Sequence, residues 1–483
     1  MADDATFRRD LGALVRQLLE ESHREENSVA ALLRAHLGTE TTDLQVHTEE
    51  LSDFELPNFQ LGLEAVLGRP GYERRIIGIG SRHFGGAGLG DFLTNENYPV
   101  GPPDYVNAEI GPDRTLPCLA TGIVLVGSAD GPLCVFVGRG EMHGPFQGRL
   151  IVQAAGCEPE AARRFLVELR QLMDERDVFR GQLISVEVTR DGARKVVFLE
   201  RPEMDASELV LPDGLLDRVV RHVVGPTRNR EMLRASGRHL ARGLLLWGPP
   251  GTGKTHTVRY LTGLLTDATV VVLSGPSLAL VGAFGNLARR LAPAVVVLED
   301  VDLVAQERTF GPFGSSPVLF ELMNEMSGLG EDADVAFVLT TNRPDALEPA
   351  LAARPGRVDL ALEIPLPAER ERRRLLELYG RGLGLQKDVL DEAVARTEGA
   401  TASFFRELLR KAALAAAENG RSEVSAEDVR GALDELLEET ARLTRALLGS
   451  EAPGEGPSPQ PHDWMQGFAG GGFTHVVDRH TSG

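Results

Sequence analysis

A run of eight residues near the middle of the chain constrains its fold more than any other feature. The run reads Gly248, Pro249, Pro250, Gly251, Thr252, Gly253, Lys254, Thr255 and fits the pattern G-x-x-x-x-G-K-[ST] at every fixed position. The apolar run 244–247 precedes it, and the helix-like segment 255–265 follows. Strand, glycine loop and helix therefore stand in the order that the pattern requires. The sequence predicts a parallel α/β domain whose loop wraps phosphate groups at a helix N-terminus.

The residue types in this run suit a bound nucleoside triphosphate. Glycine has no side chain, so the loop backbone can approach phosphate oxygens closely, and the first N–H groups of the next helix point toward them. Lys254 supplies a positive charge to the outer phosphates, and the Thr255 hydroxyl is placed to bind Mg²⁺. We count His256, the next residue of the helix, with the same binding site. A glycine- and proline-rich surface turn is the alternative, which the flanking pattern and the final Lys-Thr pair disfavour.

A second candidate motif follows the apolar run 295–298. Glu299 and Asp300 come directly after that run. At the carboxyl end of a strand beside the phosphate loop, Glu299 would hold Mg²⁺ and Asp300 would orient an attacking water. An acidic turn without catalytic function is the alternative. The presence of a phosphate loop in the same chain favours the catalytic interpretation.

Three further residues complete the predicted catalytic set. Asn342 follows the apolar run 335–340, so its amide should lie at the same edge of the sheet. Arg354 and Arg357 flank a Pro-Gly pair, which indicates two rigidly held donors aimed at phosphate, in a neighbouring subunit if the chain assembles. The predicted catalytic residues are Lys254, Glu299, Asp300, Asn342, Arg354 and Arg357.

The pattern of residues changes along the chain. Residues 213–366 alternate strand-like and helical segments, as a parallel sheet with crossover helices requires. Five strands are predicted there, at 244–247, 269–273, 294–298, 335–340 and 360–364. Residues 367–448 have helical periodicity, and residues 449–483 have the Gly-, Pro- and Ser-rich composition of a disordered tail. A linker, 201–212, precedes the alternating part.

Residues 1–200 are predicted to form an α+β domain that binds a substrate or an adaptor. Amphipathic helices are predicted at 11–19, 29–37 and 158–173, and hairpin turns at Asp130-Gly131 and Asp191-Gly192. Nothing in this segment has the pattern of catalytic machinery, and no family is recognised from it.

Composition narrows the classes of protein to which the chain can belong. It has 483 residues, more than one ordinary core needs, and an apolar share of 42% that is typical of soluble globular proteins. No apolar run approaches the roughly 20 residues of a membrane-spanning helix. Cys118, Cys134 and Cys157 lack metal-ligand spacing, which favours a reducing, cytoplasmic compartment. The net charge of −20 disfavours nucleic acid as a partner, because phosphate contacts dominate such binding.

Taken in order, the motifs resemble those of the AAA family of ring-forming ATPases over residues 211–448. The resemblance implies that 248–255 is the Walker A loop, that 295–300 is the Walker B strand and that Asn342 is sensor 1. Arg354 and Arg357 match the arginine fingers that reach the ATP of a neighbouring subunit. The fold implied is a P-loop domain with a parallel sheet of the five predicted strands and a helical lid, preceded by the α+β domain. ATP, Mg²⁺ and a homo-hexamer are implied as well.

The chain departs from the family pattern at three places. The Walker B order is Glu299 then Asp300, the reverse of the usual order and similar to that of the mitochondrial AAA translocase of the Rieske iron–sulfur protein. The triplet that should grip a client is 280–282, which is aliphatic where the family has an aromatic residue, and Phe284 is a possible substitute. In the lid, Ala402 replaces a glycine that lies near adenine, and Phe404 stands where related clades have a sensor-2 arginine.

The resemblance implies an ATP-driven, chaperone-like machine that remodels, unfolds or translocates protein clients. We expect a ring without nucleic acid or membrane among its partners. A nucleotide-gated scaffold or switch with slow hydrolysis stays open, because the Glu-Asp order and the aliphatic triplet both depart from the pattern of a vigorous motor. A DNA-acting motor is disfavoured by the acidic net charge of −20 and by the missing sensor-2 arginine.

Overall fold

The computed structural model of the chain describes residues 28–41, 43–80, 87–139, 149–188, 194–305, 333–345 and 358–447. The chain divides into two compact units. The larger contains the residues up to Leu375 together with Glu398–Phe404, and the smaller contains Leu376–Thr397 and the residues from Phe405 onward. Some predictions fall outside the described residues, namely the helix at 11–19, the turn Asp191-Gly192, the arginines Arg354 and Arg357, and the tail 449–483.

An antiparallel sheet forms the centre of the first part of the larger unit. Its strands are β1 (His47–Ser52), β2 (Glu73–Ile79), β3 (Val100–Gly101), β4 (Asp104–Gly111), β5 (Arg114–Gly127), β6 (Leu133–Arg139) and β7 (Arg149–Gly156). The strand order is β1-β7-β6-β5-β2-β3, and β4 pairs with the beginning of β5. The turn Asp130-Gly131 joins β5 to β6 as predicted, with Gly131 at a φ of 101°.

Helices cover both faces of this sheet. They are α1 (Val29–Leu37), α2 (Leu56–Leu67), α3 (Leu89–Thr94) and α4 (Pro159–Glu175). Side chains of α2 and α4 share a buried cluster with one face of the sheet, and those of α1 and α3 share another with the opposite face. The predicted helix at 29–37 ends at Gly38, whose φ of 69° allows its N–H to bond to the Arg34 carbonyl. This part has the predicted α+β character.

A second, mainly parallel sheet follows. Its strands are β8 (Leu183–Val188), β9 (Arg194–Leu199), β10 (Arg242–Trp247), β11 (Thr269–Ser274), β12 (Ala294–Glu299), β13 (Val335–Thr341) and β14 (Leu360–Glu363). The order is β14-β10-β13-β12-β11-β8-β9. The five predicted strands are all present and run parallel, with β10 next to β13 and β14. The phosphate loop therefore leaves the sheet from an interior strand.

The hairpin β8–β9 corrects the predicted domain boundary. The sequence places both strands in an N-terminal domain that ends at residue 200, but β8 pairs in parallel with β11 and extends the second sheet to seven strands. The physical reason is the apolar edge that β11 would otherwise present. Val270 and Val271 of β11 are fully buried once β8 covers that edge. A hairpin pattern shows which two strands pair locally, but not which distant edge they join.

Helices pack on both faces of the second sheet and then continue to the end of the described chain. They are α5 (Leu215–Arg228), α6 (Arg230–Ala235), α7 (Lys254–Leu264), α8 (Val281–Arg290), α9 (Asp302–Ala305), α10 (Glu369–Tyr379), α11 (Lys387–Arg396), α12 (Ala402–Glu418) and α13 (Ala426–Leu447). Helices α5 and α7 share a buried cluster with one face, and α8 shares one with the other. The last four helices match the predicted helical lid. No helix of the described ranges has the length and hydropathy to cross a bilayer.

Candidate nucleotide-binding site

The phosphate loop needs glycine at the positions that the motif reserves for it. Gly248, Gly251 and Gly253 have φ values of 146°, 76° and 113°, in the region that favours glycine. A Cβ on Gly248 would lie 2.2 Å from the Ile364 carbonyl oxygen, and one on Gly251 would lie 2.3 Å from the Ser403 Oγ. A side chain therefore has no room at Gly248 and would have to displace the Ser403 hydroxyl at Gly251, whereas Gly253 has open space and is constrained by its φ alone. Such close-packed glycines allow the loop backbone to approach a phosphate group.

Lys254 opens helix α7 and lies folded against its own loop. Its Nζ donates hydrogen bonds of 2.8 Å to the carbonyl oxygens of Gly248 and Pro249, and the residue is only 6% exposed. Burial lowers the pKa of Lys254, while the charges of Asp300 and Asp302 act in the opposite direction. The ammonium group is thus held among carbonyl oxygens and carboxylates at the helix N-terminus. An anionic phosphate would replace the carbonyl partners at that place.

The other loop residues of the predicted site surround this lysine. The Thr252 hydroxyl donates to the Pro249 carbonyl oxygen over 2.9 Å, which stiffens the turn. Thr255 and Pro250 are exposed, and His256 is half-buried on the first turn of α7. The structure therefore brings the whole predicted loop to one place, and the binding role of each residue stays a prediction.

Glu299 ends strand β12 beside the first turn of α7. Burial raises the pKa of Glu299, the charge of Asp300 raises it further, and a hydrogen bond with Thr255 lowers it. Hydroxyl and carboxylate oxygens thus meet at one point, and two adjacent carboxyl groups repel each other there. Oxygen ligands with excess negative charge are what Mg²⁺ prefers in proteins. The donor set formed by Thr255 and Glu299 fits that ion.

Asp300 has an unusual backbone conformation for a residue that is not glycine. Its φ is 50°, in the left-handed region that aspartate and asparagine enter more readily than other side chains. The Asp300 N–H donates to the Thr340 Oγ1 over 3.0 Å, and the Asn342 amide donates to the Asp300 carboxylate over 3.4 Å. The predicted sensor Asn342 therefore lies against the predicted water-orienting carboxylate. The turn explains why the shorter acid stands at this position.

Asp302 is a site residue to which the sequence reasoning assigned no role. It is 4% exposed, and its Oδ1 accepts hydrogen bonds from the Thr341 hydroxyl over 2.8 Å and from the Asn342 N–H over 3.1 Å. These bonds fasten the end of β13 to the turn after β12. Asp302 thereby fixes the backbone that carries Asn342. A signal was available, because a third carboxylate two residues beyond Asp300 precedes a Thr-Thr-Asn sequence at the end of the next strand.

A short segment of the larger unit lies over the phosphate loop. The Ser403 N–H donates to the Gly251 carbonyl oxygen over 3.2 Å, and the hydroxyls of Thr401 and Ser403 are 2.9 Å apart. Ala402, which the resemblance places near adenine, stands between these two residues. The substitution at Ala402 is visible in the sequence, whereas the backbone bond beside it depends on the fold. The segment Thr401–Ser403 thus packs against the phosphate loop at Gly251.

The structure contradicts one expectation about the client-gripping segment, namely that Phe284 could substitute for the missing aromatic residue. Val281 is 1% exposed and Phe284 is fully buried, so neither side chain is available to grip a polypeptide in this arrangement. Leu280 is half-buried. Phe284 was a possible substitute for the missing aromatic residue, but its ring stacks on Phe54 at a centroid distance of 4.8 Å. Its apolar surface is used inside the chain itself.

The described arrangement can bind a magnesium-bound triphosphate and position a water molecule. A positive lysine and free loop N–H groups would meet phosphate, Thr255 and Glu299 would meet the metal ion, and Asp300 with Asn342 would meet the water. Arg354 and Arg357 lie outside the described residues, so their predicted part is not placed. No group of three or more His, Cys, Asp or Glu residues that could hold a metal ion occurs within the ranges that the structure covers.

Comparison with known proteins agrees with this geometry. Residues 244–366 match the family described as "ATPase family associated with various cellular activities (AAA)". The chain is similar to the ATP-dependent zinc metalloprotease FtsH of Acidothermus cellulolyticus, at 34% identity over 278 residues that cover 53% of this chain and 40% of the relative. It is also similar to the proteasome-activating nucleotidase of Methanocaldococcus jannaschii, at 30% identity with coverages of 50% and 58%. The corresponding protein of Methanothermobacter thermautotrophicus has 32% identity, with coverages of 52% and 65%. The chain thus spans less than two thirds of these relatives.

Proposed function

Because residues 244–366 belong to the AAA family of ATPases, we propose that the chain binds ATP with Mg²⁺, hydrolyses the ATP and uses the energy to remodel a protein client. One observation carries this proposal. Lys254, Glu299, Asp300 and Asn342, which come from three separate parts of the sequence, meet at the carboxyl edge of one parallel sheet. Ligands of open α/β sheets bind at that edge.

The loop would hold the nucleotide by its phosphates. The N–H groups from Gly251 to Thr255 belong to the loop and to the N-terminal end of α7, where the helix dipole favours negative charge. Lys254 would leave its two carbonyl partners and bind the outer phosphate oxygens. Thr255 and Glu299 would hold Mg²⁺, which supplies positive charge to the phosphates when it is bound.

Hydrolysis would then follow from how this chain orients water. Asp300 would accept a hydrogen bond from a water molecule in line with the terminal phosphorus, and the Asn342 amide would hold the Asp300 carboxylate in place. A new oxygen–phosphorus bond forms to the water as the bond to the bridging oxygen breaks, which leaves ADP and phosphate. Arg354 and Arg357 of a neighbouring subunit would stabilise the charge that develops on the transferring group.

The binding step is tested with Lys254→Ala. We expect this variant to lose affinity for a fluorescent ATP analogue, whereas Lys387→Ala, which removes a lysine from the start of α11, should bind as the unaltered chain does. Equilibrium titration by fluorescence anisotropy in the presence of Mg²⁺ gives both affinities. Unchanged micromolar binding by the Lys254→Ala chain would overturn the assignment of the phosphate loop.

The assembly is proposed as a homo-hexamer that works in the cytoplasm. Support comes from the arginine pair, which the family resemblance places in a neighbouring subunit, and from three free cysteines, as a reducing compartment would leave them. Mixing Arg357→Ala chains with Asp300→Asn chains should restore part of the ATPase activity that each lacks alone. In some mixed interfaces the Arg357→Ala chain supplies an intact Asp300, and the Asp300→Asn chain supplies an intact Arg357. Mixtures that stay as inactive as their components would contradict a shared site.

A second function is supported by the burial of two residues in and next to the predicted client-gripping triplet, 280–282. Since Val281 and Phe284 are packed inside the chain, a nucleotide-gated scaffold that hydrolyses slowly is the alternative to a client-driven machine. Steady-state turnover separates the two. A remodelling machine should turn over at measurable rates that rise when a client is present, whereas a switch should stay far below about one turnover per second, under the range of typical enzymes.

A further inference from the structure

Helix α8 and the turn before it connect the nucleotide site to the first domain. The first domain comprises β1 to β7 and α1 to α4, within residues 29–175. The turn is a 3-10 helix, Gly275–Leu280, and α8 follows it directly. Ser274, the last residue of β11, is paired in register with Glu299 of β12. The turn therefore starts one residue beyond the strand position that lies beside the predicted Mg²⁺ ligand.

The packing on this side continues from the catalytic turn into the turn before α8. Val301, which stands between Asp300 and Asp302, is 2% exposed and shares one buried cluster with Leu278 and Phe284. Close-packed side chains transmit a displacement, because no free volume is available to absorb it. A shift of the backbone around Asp300 would therefore move the residues of α8.

The first domain meets α8 through an aromatic contact. Phe54, in the 3-10 turn Asp53–Glu55 between β1 and α2, stacks on Phe284 with ring centroids 4.8 Å apart and an interplanar angle of 25°. Phe179 lies edge-on to Phe54 at 6.3 Å and stacks on Phe198 of β9 at 5.8 Å. The aromatic contacts therefore run from Phe198 of the hairpin through Phe179 and Phe54 to Phe284 of the helix. Such aromatic pairs stabilise the packing by more than the burial of their apolar area alone accounts for.

An ionic contact fastens the other end of α8. The Arg290 guanidinium donates to the Glu55 carboxylate over 2.8 Å and approaches the Asp177 carboxylate to 3.3 Å. Glu55 is 4% exposed and Asp177 is 6% exposed, so removal of Arg290 would take a charged partner from two buried carboxylates. Glu55 keeps a second ion pair with Arg170 at 3.7 Å, and Asp177 keeps the Phe179 N–H at 3.0 Å. Burial opposes the charge of Arg290, but the surrounding carboxylates outweigh it and raise the pKa of the guanidinium. Two contacts of different chemistry thus join one helix of the ATPase domain to the first domain.

From these contacts we infer that α8 transmits changes at the nucleotide site to the first domain, and that it does so through Phe54–Phe284 and Arg290–Glu55. The segment in which the family grips a client is used here as a lever inside the chain. Movement of the first domain then delivers part of the work of ATP hydrolysis. This inference rests on the proposed binding of ATP.

The test compares hydrogen exchange of the full chain with ADP and with a non-hydrolysable ATP analogue. Peptides covering α2 (Leu56–Leu67) report on the first domain, and peptides covering α7 report on the nucleotide site. We expect the two nucleotides to change exchange rates in α2 by about fivefold or more, the lower end of ordinary coupling between sites. In Phe284→Leu and in Phe54→Leu that difference should disappear, while the difference in α7 persists.

A matched control is available in the first domain. Phe92 is fully buried and packs edge-on against Phe136 at 5.2 Å, in a cluster that does not include α8. Phe92→Leu removes a similar aromatic contact, so it should loosen the first domain but keep the response of α2 to nucleotide. If a Phe284 variant does not fold, Arg290→Gln serves in its place, because it removes the charge that pairs with Glu55 but keeps a polar amide at the same position.

The outcomes separate two failures. A chain that does not bind the ATP analogue refutes the proposed function. A chain that binds the analogue and responds in α7 but not in α2 overturns the inference about α8. Persistence of the α2 response in either Phe54→Leu or Phe284→Leu overturns it as well.

Discussion

The role of Asp302 can be tested with a single substitution. Asp302→Ala removes the acceptor of two hydrogen bonds, from the Thr341 hydroxyl at 2.8 Å and from the Asn342 N–H at 3.1 Å. The site is 4% exposed, so water cannot easily replace the lost oxygen. Both the stability of the ATPase domain and the position of Asn342 depend on these bonds.

The expected loss follows from the kind of bond that is broken. A hydrogen bond to a charged group contributes about 1.5–3 kcal/mol, so the free energy of unfolding should fall by about 3–5 kcal/mol after partial relaxation. Asp302→Asn keeps an oxygen at the same place without the charge, and it should lose about half as much. If Asn342 is displaced, its amide no longer holds the Asp300 carboxylate. Misplacement of that carboxylate by about 1 Å can lower kcat by about 10²-fold.

The two effects need separate measurements. Trp247 lies at the end of β10 next to the phosphate loop, so its fluorescence during urea unfolding reports on the ATPase domain, provided that Trp464, the second tryptophan, is replaced by phenylalanine. Steady-state ATPase kinetics on the same variants give kcat and KM. We expect kcat to fall while KM stays within a few-fold, because the two hydrogen bonds that Asp302 accepts come from Thr341 and Asn342 at the end of β13 and not from the phosphate loop.

A nearby exposed carboxylate provides the control. Asp345 is 68% exposed and pairs with Arg343 at 3.3 Å, so Asp345→Ala should cost less than about 1 kcal/mol and leave kcat unchanged. Equal effects of Asp302→Ala and Asp345→Ala would refute the positioning role. So would a normal kcat in an Asp302→Ala chain that is fully folded under the assay conditions.

Three further outcomes are expected. Because burial and Asp300 raise the pKa of Glu299, folding favours its protonated form. The free energy of unfolding should therefore fall as pH rises through that pKa, whereas Mg²⁺ affinity should rise. Glu299→Gln should remove the pH dependence of Mg²⁺ affinity, which calorimetry measures. Gly251→Ala should abolish ATP binding in a titration, because its φ is 76° and the added Cβ would clash, while Gly225→Ala in helix α5 has room and should not. Arg242→Met should cost about 3–5 kcal/mol in urea unfolding, since the buried Asp334 then loses its partner at 2.9 Å.

Much of the ATPase site could be predicted from the sequence, because its motifs are local. A phosphate loop requires glycine at fixed spacings, and an apolar run followed by carboxylates indicates the end of a buried strand. These short-range rules located the phosphate loop, the five parallel strands, Glu299 with Asp300, and Asn342. The start of α13 follows the same kind of local rule, because Ser425 and Asp428 stand three residues apart and the Ser425 N–H bonds to the Asp428 carboxylate over 2.8 Å.

Only the tertiary structure decided which distant parts of the chain meet. Strands β8 and β9 have an ordinary hairpin pattern, and nothing in that pattern indicates that they extend the edge of β11. Asp302 gained a role only when β13 was placed beside it. The sequence leaves Phe284 open as a contact for a client. In the structure its ring stacks on Phe54, which is more than two hundred positions away in the chain. Local spacing determines the chemistry that a segment can perform, but burial depends on partners that are remote in sequence and adjacent in space.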